Sequence, residues 1–169
     1  MKKILICRHG KSSWDDAYLS DHNRPLAPRG LRNSKEMAER LLSLSILPDL
    51  VLSSDAKRAR DTAFITLEVL GINKEIIEQH ESLFHASANT IMEHLQTLPP
   101  NVNTIFIFGH NPGLNELIWM LGGELDNLPT AGQYGFTFDT NNWSDIHPQI
   151  AKKWFYDYPK KKNQNFRTS

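Results

Sequence analysis

Apolar and polar positions alternate along this chain in a repeating way. A short apolar run is followed by a polar loop and then by a stretch with apolar residues every three or four positions. The first run, Ile4-Leu5-Ile6-Cys7, has no polar interruption, which suits a strand buried on both faces of a parallel sheet and predicts a strand over residues 2–7. Residues 8–27 then form a long polar loop. Pro28 suits the first position of a helix that runs to about Ile46, with Leu31, Ser34, Ala38, Leu41 and Leu42 on its inner face. Leu50-Val51-Leu52 is a second strand, and Ser53-Ser54-Asp55 forms a loop and cap for a helix from about Ala56 to Leu70, stopped by Gly71. A weak strand is predicted at 74–78, and Ser87 caps a helix from Ala88 to about Leu98 that ends at Pro99-Pro100. Thr104-Ile105-Phe106-Ile107-Phe108 is the second strong strand, and Pro112 starts the helix that carries Leu114, Leu117, Ile118 and Leu121. Residues 134–138 and 153–156 alternate as a late hairpin.

The order β-α-β-α-β-α-β-α-β-β predicts an α/β fold: a single-domain three-layer α/β/α sandwich with a largely parallel central sheet and a C-terminal β-hairpin. The expected domain covers residues 1–158, and residues 159–169 read as a basic, polar, disordered tail in which Lys160-Lys161-Lys162 is solvated. Parallel sheets place their sites beyond the carboxyl ends of the strands. The two strongest strands end in Arg8-His9-Gly10 and Gly109-His110-Asn111, so pairing them would bring His9 and His110 together.

Charge and composition narrow the chemistry. The formal net charge is zero, so neither nucleic acid nor a membrane surface is an expected partner. A single cysteine excludes an intrachain disulfide and a multi-cysteine zinc site. The apolar run at the amino terminus ends at Cys7, too short for a leader, and no run reaches the roughly 18 residues of a membrane span, so a cytoplasmic location is expected.

Two histidines at matching strand ends could bind a metal, pack together, or act on an anion. No third ligand stands at a zinc-like spacing, and arginines beside a metal ligand would repel the cation, so no metal site is expected. The arginines favour the anion. Arg8 precedes His9, Arg58 opens the helix after Ser53-Ser54, and Arg24 lies in the long loop. Guanidinium groups bind phosphate bidentately, and helix amino termini after Ser54 and at Asn111 add positive partial charge. A histidine among arginines has a lowered pKa and stays neutral, ready for in-line attack on phosphorus. Gly10 lets the backbone come close to the ligand. Two other phosphate motifs fail on spacing. Gly10-Lys11-Ser12 would need a glycine in place of Leu5 to form a P-loop, and Cys7 would need an arginine in place of Ser13 to form a cysteine phosphatase loop. Cys7 reads as a buried strand residue.

Four blocks stand in one order: Arg8-His9-Gly10; Asp21-His22-Asn23-Arg24-Pro25-Leu26 with Arg29-Gly30; Ser53-Ser54-Asp55-Ala56-Lys57-Arg58-Ala59 with Thr62-Ala63; and Gly109-His110-Asn111-Pro112-Gly113. Over residues 4–121 the chain resembles a histidine phosphatase of the Arg-His-Gly branch, with a phosphoglycerate mutase-like fold, and more narrowly a SixA-like phosphohistidine phosphatase. The resemblance implies that His9 attacks phosphorus and becomes phosphohistidine, which water then hydrolyses. It also implies that Arg8, Arg58 and His110 hold the phosphoryl oxygens, with Arg24, Gly10 and Asn111 at or beside the phosphate. It implies no metal or organic cofactor, and a phosphorylated protein or a small phosphate ester as partner. Larger relatives use a glutamate after the third strand as general acid, which points to Glu81. Asp21 is the rival, unless it orients Arg24. A phosphohistidine substrate needs neither, because its leaving imidazole takes a proton readily. His80, His85 and His94 read as surface or loop histidines, and Trp14 and Tyr18 as part of a packed loop or the pocket mouth. The alternatives are a metabolic phosphomonoesterase, a phosphoglycerate mutase-type enzyme, and a catalytically silent phosphate-binding module. Little chain separates the third strand from the third helix, so an open, lidless pocket is expected.

Overall fold

Strand β1 (Lys2–Arg8) is central, and Ile4, Leu5, Ile6 and Cys7 are at most 1% exposed in the computed structural model, which describes residues 1–161. Burial on both faces explains why the run has no polar interruption. On one side β1 pairs in parallel with β4 (Thr104–Gly109), setting Ile4 opposite Ile105 and Arg8 opposite Gly109. On the other it pairs antiparallel with β5 (Gln133–Phe138). With β2 (Leu50–Ser54), β3 (Ile77–His80) and β6 (Ala151–Asp157), the sheet runs β3-β2-β4-β1-β5-β6. The first four of these strands are mutually parallel. Their carboxyl ends therefore share one edge, and Arg8-His9 and Gly109-His110 leave it side by side.

Among the described residues four helices cover the two faces: α1 (Pro28–Ser43), α2 (Lys57–Leu70), α3 (Ala88–Gln96) and α4 (Gly113–Met120). Leu5 and Cys7 join Val51, Phe106 and Phe108 in a core with Leu41 of α1 and Ala63 and Leu67 of α2. Ile4 and Ile6 point the other way, into a larger core with Ile105, Ile107, Ile91, Leu95, Leu114 and Leu117. This period-two division of one strand between two helix layers makes the three-layer sandwich.

Several boundaries differ from the sequence reading. Helix α1 stops at Ser43, and Leu31 and Leu42 are exposed. Its inner face is Gly30, Ser34, Met37, Ala38 and Leu41, a stripe at spacings of three and four that leaves Leu31 and Leu42 about a quarter-turn aside. At α2, Ser54 Oγ accepts from the Ala56 amide, whereas Asp55 turns away to pair with His22. The weak strand lies at Ile77–His80, after a 3-10 turn at Lys74–Ile76. Gly71 ends α2 with a left-handed φ of 70°, and Ser87 Oγ accepts from Thr90 N–H at the start of α3, as their positions predict. The long loop is braced by a bridge between Ser12 and Leu26 and by a 3-10 turn at Asp21–Asn23.

The tail expected over 159–169 is described as far as Lys161, and the remainder of that expectation lies outside the described residues. Among the described residues no helix is long and apolar enough to cross a membrane.

Candidate active site

His9 emerges from the end of β1 with its ring buried, 7% exposed. Its Nδ1 lies 2.7 Å from the Gly10 carbonyl oxygen. Only a donor can pair with a carbonyl, so Nδ1 carries the hydrogen and Nε2 keeps the lone pair. Arg58 Nε donates to that Nε2 at 3.4 Å. The backbone holds the ring in place: the Gly10 amide donates to Thr62 Oγ1 at 3.0 Å, and the His9 carbonyl accepts from the Ala131 amide at 2.9 Å. A side chain at Gly10 would meet Ser34 Oγ at 2.7 Å and the Gly30 carbonyl oxygen at 2.8 Å, so only glycine lets this loop press against the start of α1.

His110, at the end of β4, stands with its ring centroid 5.1 Å from that of His9. Its Nε2 is 2.8 Å from Ser54 Oγ at the end of β2. Its Nδ1 is buried and has no hydrogen-bond partner among the described residues. Neighbouring parallel strands thus deliver His9, His110 and Ser54 to one place, as the topology predicts.

Three guanidinium groups complete the site. Arg58 is buried at the first turn of α2 and donates through Nη1 to the Asp21 carbonyl oxygen at 2.6 Å and through Nη2 to Asp21 Oδ2 at 3.2 Å. Arg24 is buried as well. It donates to Asp21 Oδ1 at 3.0 Å and to the Ser12 hydroxyl, and its guanidinium lies over the Trp14 ring, 3.3 Å from the centroid. Arg8 donates through Nη1 to the Leu128 carbonyl at 2.9 Å, and its buried Nε has no partner among the described residues. Asp21 is the carboxylate that pairs with Arg24 and Arg58, and Arg8 forms no ion pair among the described residues.

Burial is the largest cause that lowers the His9 pKa, to about 4, with Arg58, Arg8 and Arg24 lowering it further against the opposing Gly10 hydrogen bond. The sequence reading assigned this effect to the arginines, but they are secondary. Burial also dominates at His110, lowered to about 2, with His9 and Arg58 next. Both rings are therefore neutral near pH 7.

Arg8, His9, Arg24, Arg58, His110 and Asn111 line a cavity of about 310 Å3. Gly10 supports it from behind. Asn111 works on its wall: Nδ2 donates to the Leu128 carbonyl at 3.0 Å and to Asn127 Oδ1 at 3.2 Å, fixing the loop that holds Arg8. Asp21 is outside the lining and serves the arginines.

Glu81 does not reach the cavity. It is exposed at the start of a 3-10 turn after β3, the edge strand. That turn carries the chain inward so that Phe84 and His85 arrive instead, with Phe84 edge-on to His110 at 5.4 Å. His85, read from sequence as a surface or loop histidine, lines the cavity while its side chain stays 66% exposed. Its left-handed φ of 63° marks a backbone fixed by its surroundings, and Gly113 sits so close to this loop that a side chain there would meet the Ala86 carbonyl at 2.0 Å. His80 and His94 lie together elsewhere, ring centroids 4.8 Å apart. Trp14, Lys11, Ser12 and Thr130 also line the cavity, and Tyr18 does not.

The arrangement can hold a tetrahedral oxyanion on several cationic and N–H donors while presenting a neutral imidazole lone pair. Among the described residues no three His, Cys, Asp or Glu side chains gather as a metal ion would require.

Comparison with known proteins gives the same picture. A family model described as the histidine phosphatase superfamily (branch 1) matches residues 4–83. An uncharacterized chloroplastic protein of Arabidopsis thaliana is 34% identical over 85% of this chain and 70% of its own length. An uncharacterized protein of Mycobacterium tuberculosis is 31% identical over 85% of this chain and 94% of its own length. Among solved structures, SixA from Agrobacterium tumefaciens superposes with a TM-score of 0.80 at 22% identity, covering 94% of this chain and 98% of that one. The protein histidine phosphatase SixA in complex with tungstate gives 0.78 at 24% identity, covering 93% and 97%.

Proposed function

The chain belongs to the histidine phosphatase superfamily, and from that premise we propose that it is a phosphatase that works through a phosphorylated His9 and removes the phosphoryl group from phosphohistidine on a protein. The observation that carries the reading is the His9 ring, whose lone pair is directed to Nε2 by the Gly10 carbonyl inside a cavity with more cations than carboxylates. In the first step Nε2 attacks phosphorus in line. A new N–P bond forms, the bond to the leaving group breaks, and its electron pair leaves with that group. Arg8, Arg24 and Arg58 hold the phosphoryl oxygens as their charge redistributes, and His110 contributes from the neighbouring strand end. In the second step water attacks the phosphohistidine, the N–P bond breaks, its electron pair returns to Nε2, and phosphate departs.

The leaving group is argued from what the cavity lacks. Among the described residues no carboxylic acid lines it, and Asp21 is held by two arginines. A leaving alkoxide needs a positioned acid, whereas a leaving imidazole takes up a proton readily. One observation favours a second reading, a phosphomonoesterase acting on a small ester: His85 in the lining could supply that proton. A partial match, 34% identity over 43% of this chain to a phosphoglycerate mutase of Nautilia profundicola, belongs with that reading.

Rapid-quench trapping tests the intermediate. A phosphoryl group on His9, labile to acid and stable to base, is expected, and label on any other residue would overturn the mechanism. The ratio of kcat/KM for a phosphohistidine peptide to that for phosphoglycerate tests the substrate. A tenfold preference for phosphoglycerate, about 1.4 kcal/mol in transition-state binding, would move the assignment to the second reading. The cytoplasmic location expected from sequence is part of the same proposal, and fractionation of cells that express the protein tests it.

A further inference from the structure

A second cavity, of about 270 Å3, adjoins the first, and Thr130 lines both. One wall is the start of α1, with Arg29 and Asn33. The chain after β6 contributes Tyr158, Pro159 and Lys160, and Pro129 completes the lining. Three features set it apart from an ordinary surface dent.

The first is unused charge. Among the described residues neither Arg29 nor Lys160 forms an ion pair, and no acidic residue lines either cavity. Arg29 belongs to the Arg29-Gly30 block noted in the sequence. Gly30 has a packing reason, since a side chain there would meet the Lys11 carbonyl at 2.1 Å, but the phosphate cavity makes no use of Arg29.

The second is a fixed wall. Arg40 donates to the carbonyls of Tyr158 at 2.9 Å and Pro159 at 3.1 Å and to Asp157 Oδ1 at 3.0 Å, while Lys161 Nζ donates to the Tyr156 carbonyl at 2.7 Å. The start of the segment read from sequence as a solvated tail is thus tied to α1, and Lys160 and Arg29 line one cavity.

The third is the mixed lining. Pro129, Tyr158 and Pro159 offer an apolar surface beneath a cationic rim. A side chain with a short apolar stem and a carboxylate head matches that order of surfaces.

We propose that this second cavity is a subsite for an acidic side chain that neighbours the phosphohistidine on a protein substrate. The inference rests on the reading of the first cavity as a protein phosphohistidine site. Thr130 at the junction places the two subsites side by side, so phosphate and carboxylate would be bound by one short segment of substrate.

The test uses two phosphohistidine peptides that differ only in one flanking residue, glutamate or glutamine, with p-nitrophenyl phosphate as a small control. Wild-type protein is expected to favour the glutamate peptide through KM. Exposed ion pairs are individually weak, so charge reversal at both positions, Arg29→Glu with Lys160→Glu, is expected to cost about tenfold on the glutamate peptide. It should leave the glutamine peptide within about twofold and the small ester unchanged. A third peptide with lysine at that position should be hydrolysed better by the double variant than by wild type. Equal losses on all three substrates would show a general structural effect and overturn the subsite, as would no loss on any. Should wild-type protein hydrolyse the small ester but neither peptide, the phosphohistidine reading itself fails. Turnover of both peptides without a charge preference removes only the subsite.

Discussion

Two regions of this molecule bury arginine, and they use it differently. Arg40 lies between α1 and the end of β6, where a fully buried carboxylate, Asp157, and two backbone carbonyls accept from it. Its charge is matched by groups that belong to the fold. At the carboxyl edge of the sheet, Arg24 and Arg58 share one carboxylate, Asp21, whose side chain is 46% exposed, Arg8 pairs with none among the described residues, and all three line a cavity. Burying like charges close together is costly, and a folded chain keeps such an arrangement where an anion is to arrive. The contrast separates the two kinds of arginine without reference to any relative: the first has its counter-charge in the fold, and the second group has too few carboxylates, a deficit that the proposed phosphoryl anion would fill.

The strongest break of this comparison is at the centre of the undercompensated region. Replacing His9 with alanine is expected to lower turnover by at least about a thousandfold while the protein stays folded, because the imidazole whose Nε2 lone pair faces Arg58 is lost. Steady-state kinetics with circular dichroism checks this. A folded variant that kept more than about a tenth of the wild-type rate would refute the assignment.

The arginines themselves give a crossed test. Arg58→Ala is expected to cost about 100- to 1000-fold in kcat/KM with little loss of stability, since it removes donors aimed at the phosphoryl group and relieves repulsion with Arg8 and Arg24. Arg40→Ala is expected to do the opposite. It strands Asp157, which is fully buried, and costs about 3–5 kcal/mol of stability, while the folded fraction hydrolyses a small phosphate ester at the wild-type rate. Urea melts and kinetics on the same preparations decide it, and the comparison fails if both variants lose the same property.

The two histidines carry the comparison into pH. His9 has an ordinary pKa near 6.5 when unfolded and about 4 in the fold. Above about pH 6.5 both states are neutral and this group adds no pH dependence. Below it the unfolded chain takes up a proton that the buried ring refuses, so stability falls as pH drops from about 6.5 to about 4 and this contribution levels off below. His9 accounts for roughly 3 kcal/mol of that fall. His110 acts in the same direction down to about pH 2. Denaturant midpoints measured across this range should drop more steeply for wild type than for His9→Ala, and NMR titration should show no His9 protonation near pH 6.5. A His9 that titrates there would mean that its ring is not buried in a cationic site.

How much of this was legible in the sequence follows from the kind of signal each residue leaves. The uninterrupted run Ile4–Cys7 and its counterpart at 104–108 announce buried parallel strands, and the residues directly after them, Arg8, His9 and His110, inherit their positions from the strand ends. Arg58 and Ser54 follow the same rule at β2. Arg24 and Asp21 are harder, because they come from a long loop with no periodicity: Arg24 was a candidate by its charge alone, and only the ordered blocks pointed to Asp21. His85 left no pattern at all. It reaches the cavity through a left-handed turn between an edge strand and α3, and the nearby Glu81 had the better chemical claim. Arg29 lies about a hundred residues before Thr130 and Lys160 about thirty after it, and they meet only when the chain after β6 is tied to α1 by Arg40, a contact that no local spacing encodes. Helix faces were misread where large apolar residues flanked the true stripe: Leu31 and Leu42 looked like core, but Gly30 and Met37 occupy it.

The smallest expected effect is also the most pointed, since it concerns the residue whose chemistry and position disagree. Glu81 is a carboxylate in the stretch where larger relatives carry a general acid, yet its side chain is exposed and outside the cavity lining, and the edge position of β3 keeps it there. A group that does not touch the leaving atom cannot protonate it in the transition state. Glu81→Gln is therefore expected to change kcat by less than about twofold on a phosphohistidine peptide and on a small ester alike. His85→Ala sharpens the result, because His85 does line the cavity. It should slow the ester, whose alkoxide leaving group needs a proton, more than the peptide, whose imidazole does not. A large loss from Glu81→Gln confined to the ester would show that the turn after β3 closes over bound substrate and brings the glutamate in. The excess of cations over carboxylates that distinguishes this edge of the sheet would then be reduced once the turn closes over substrate.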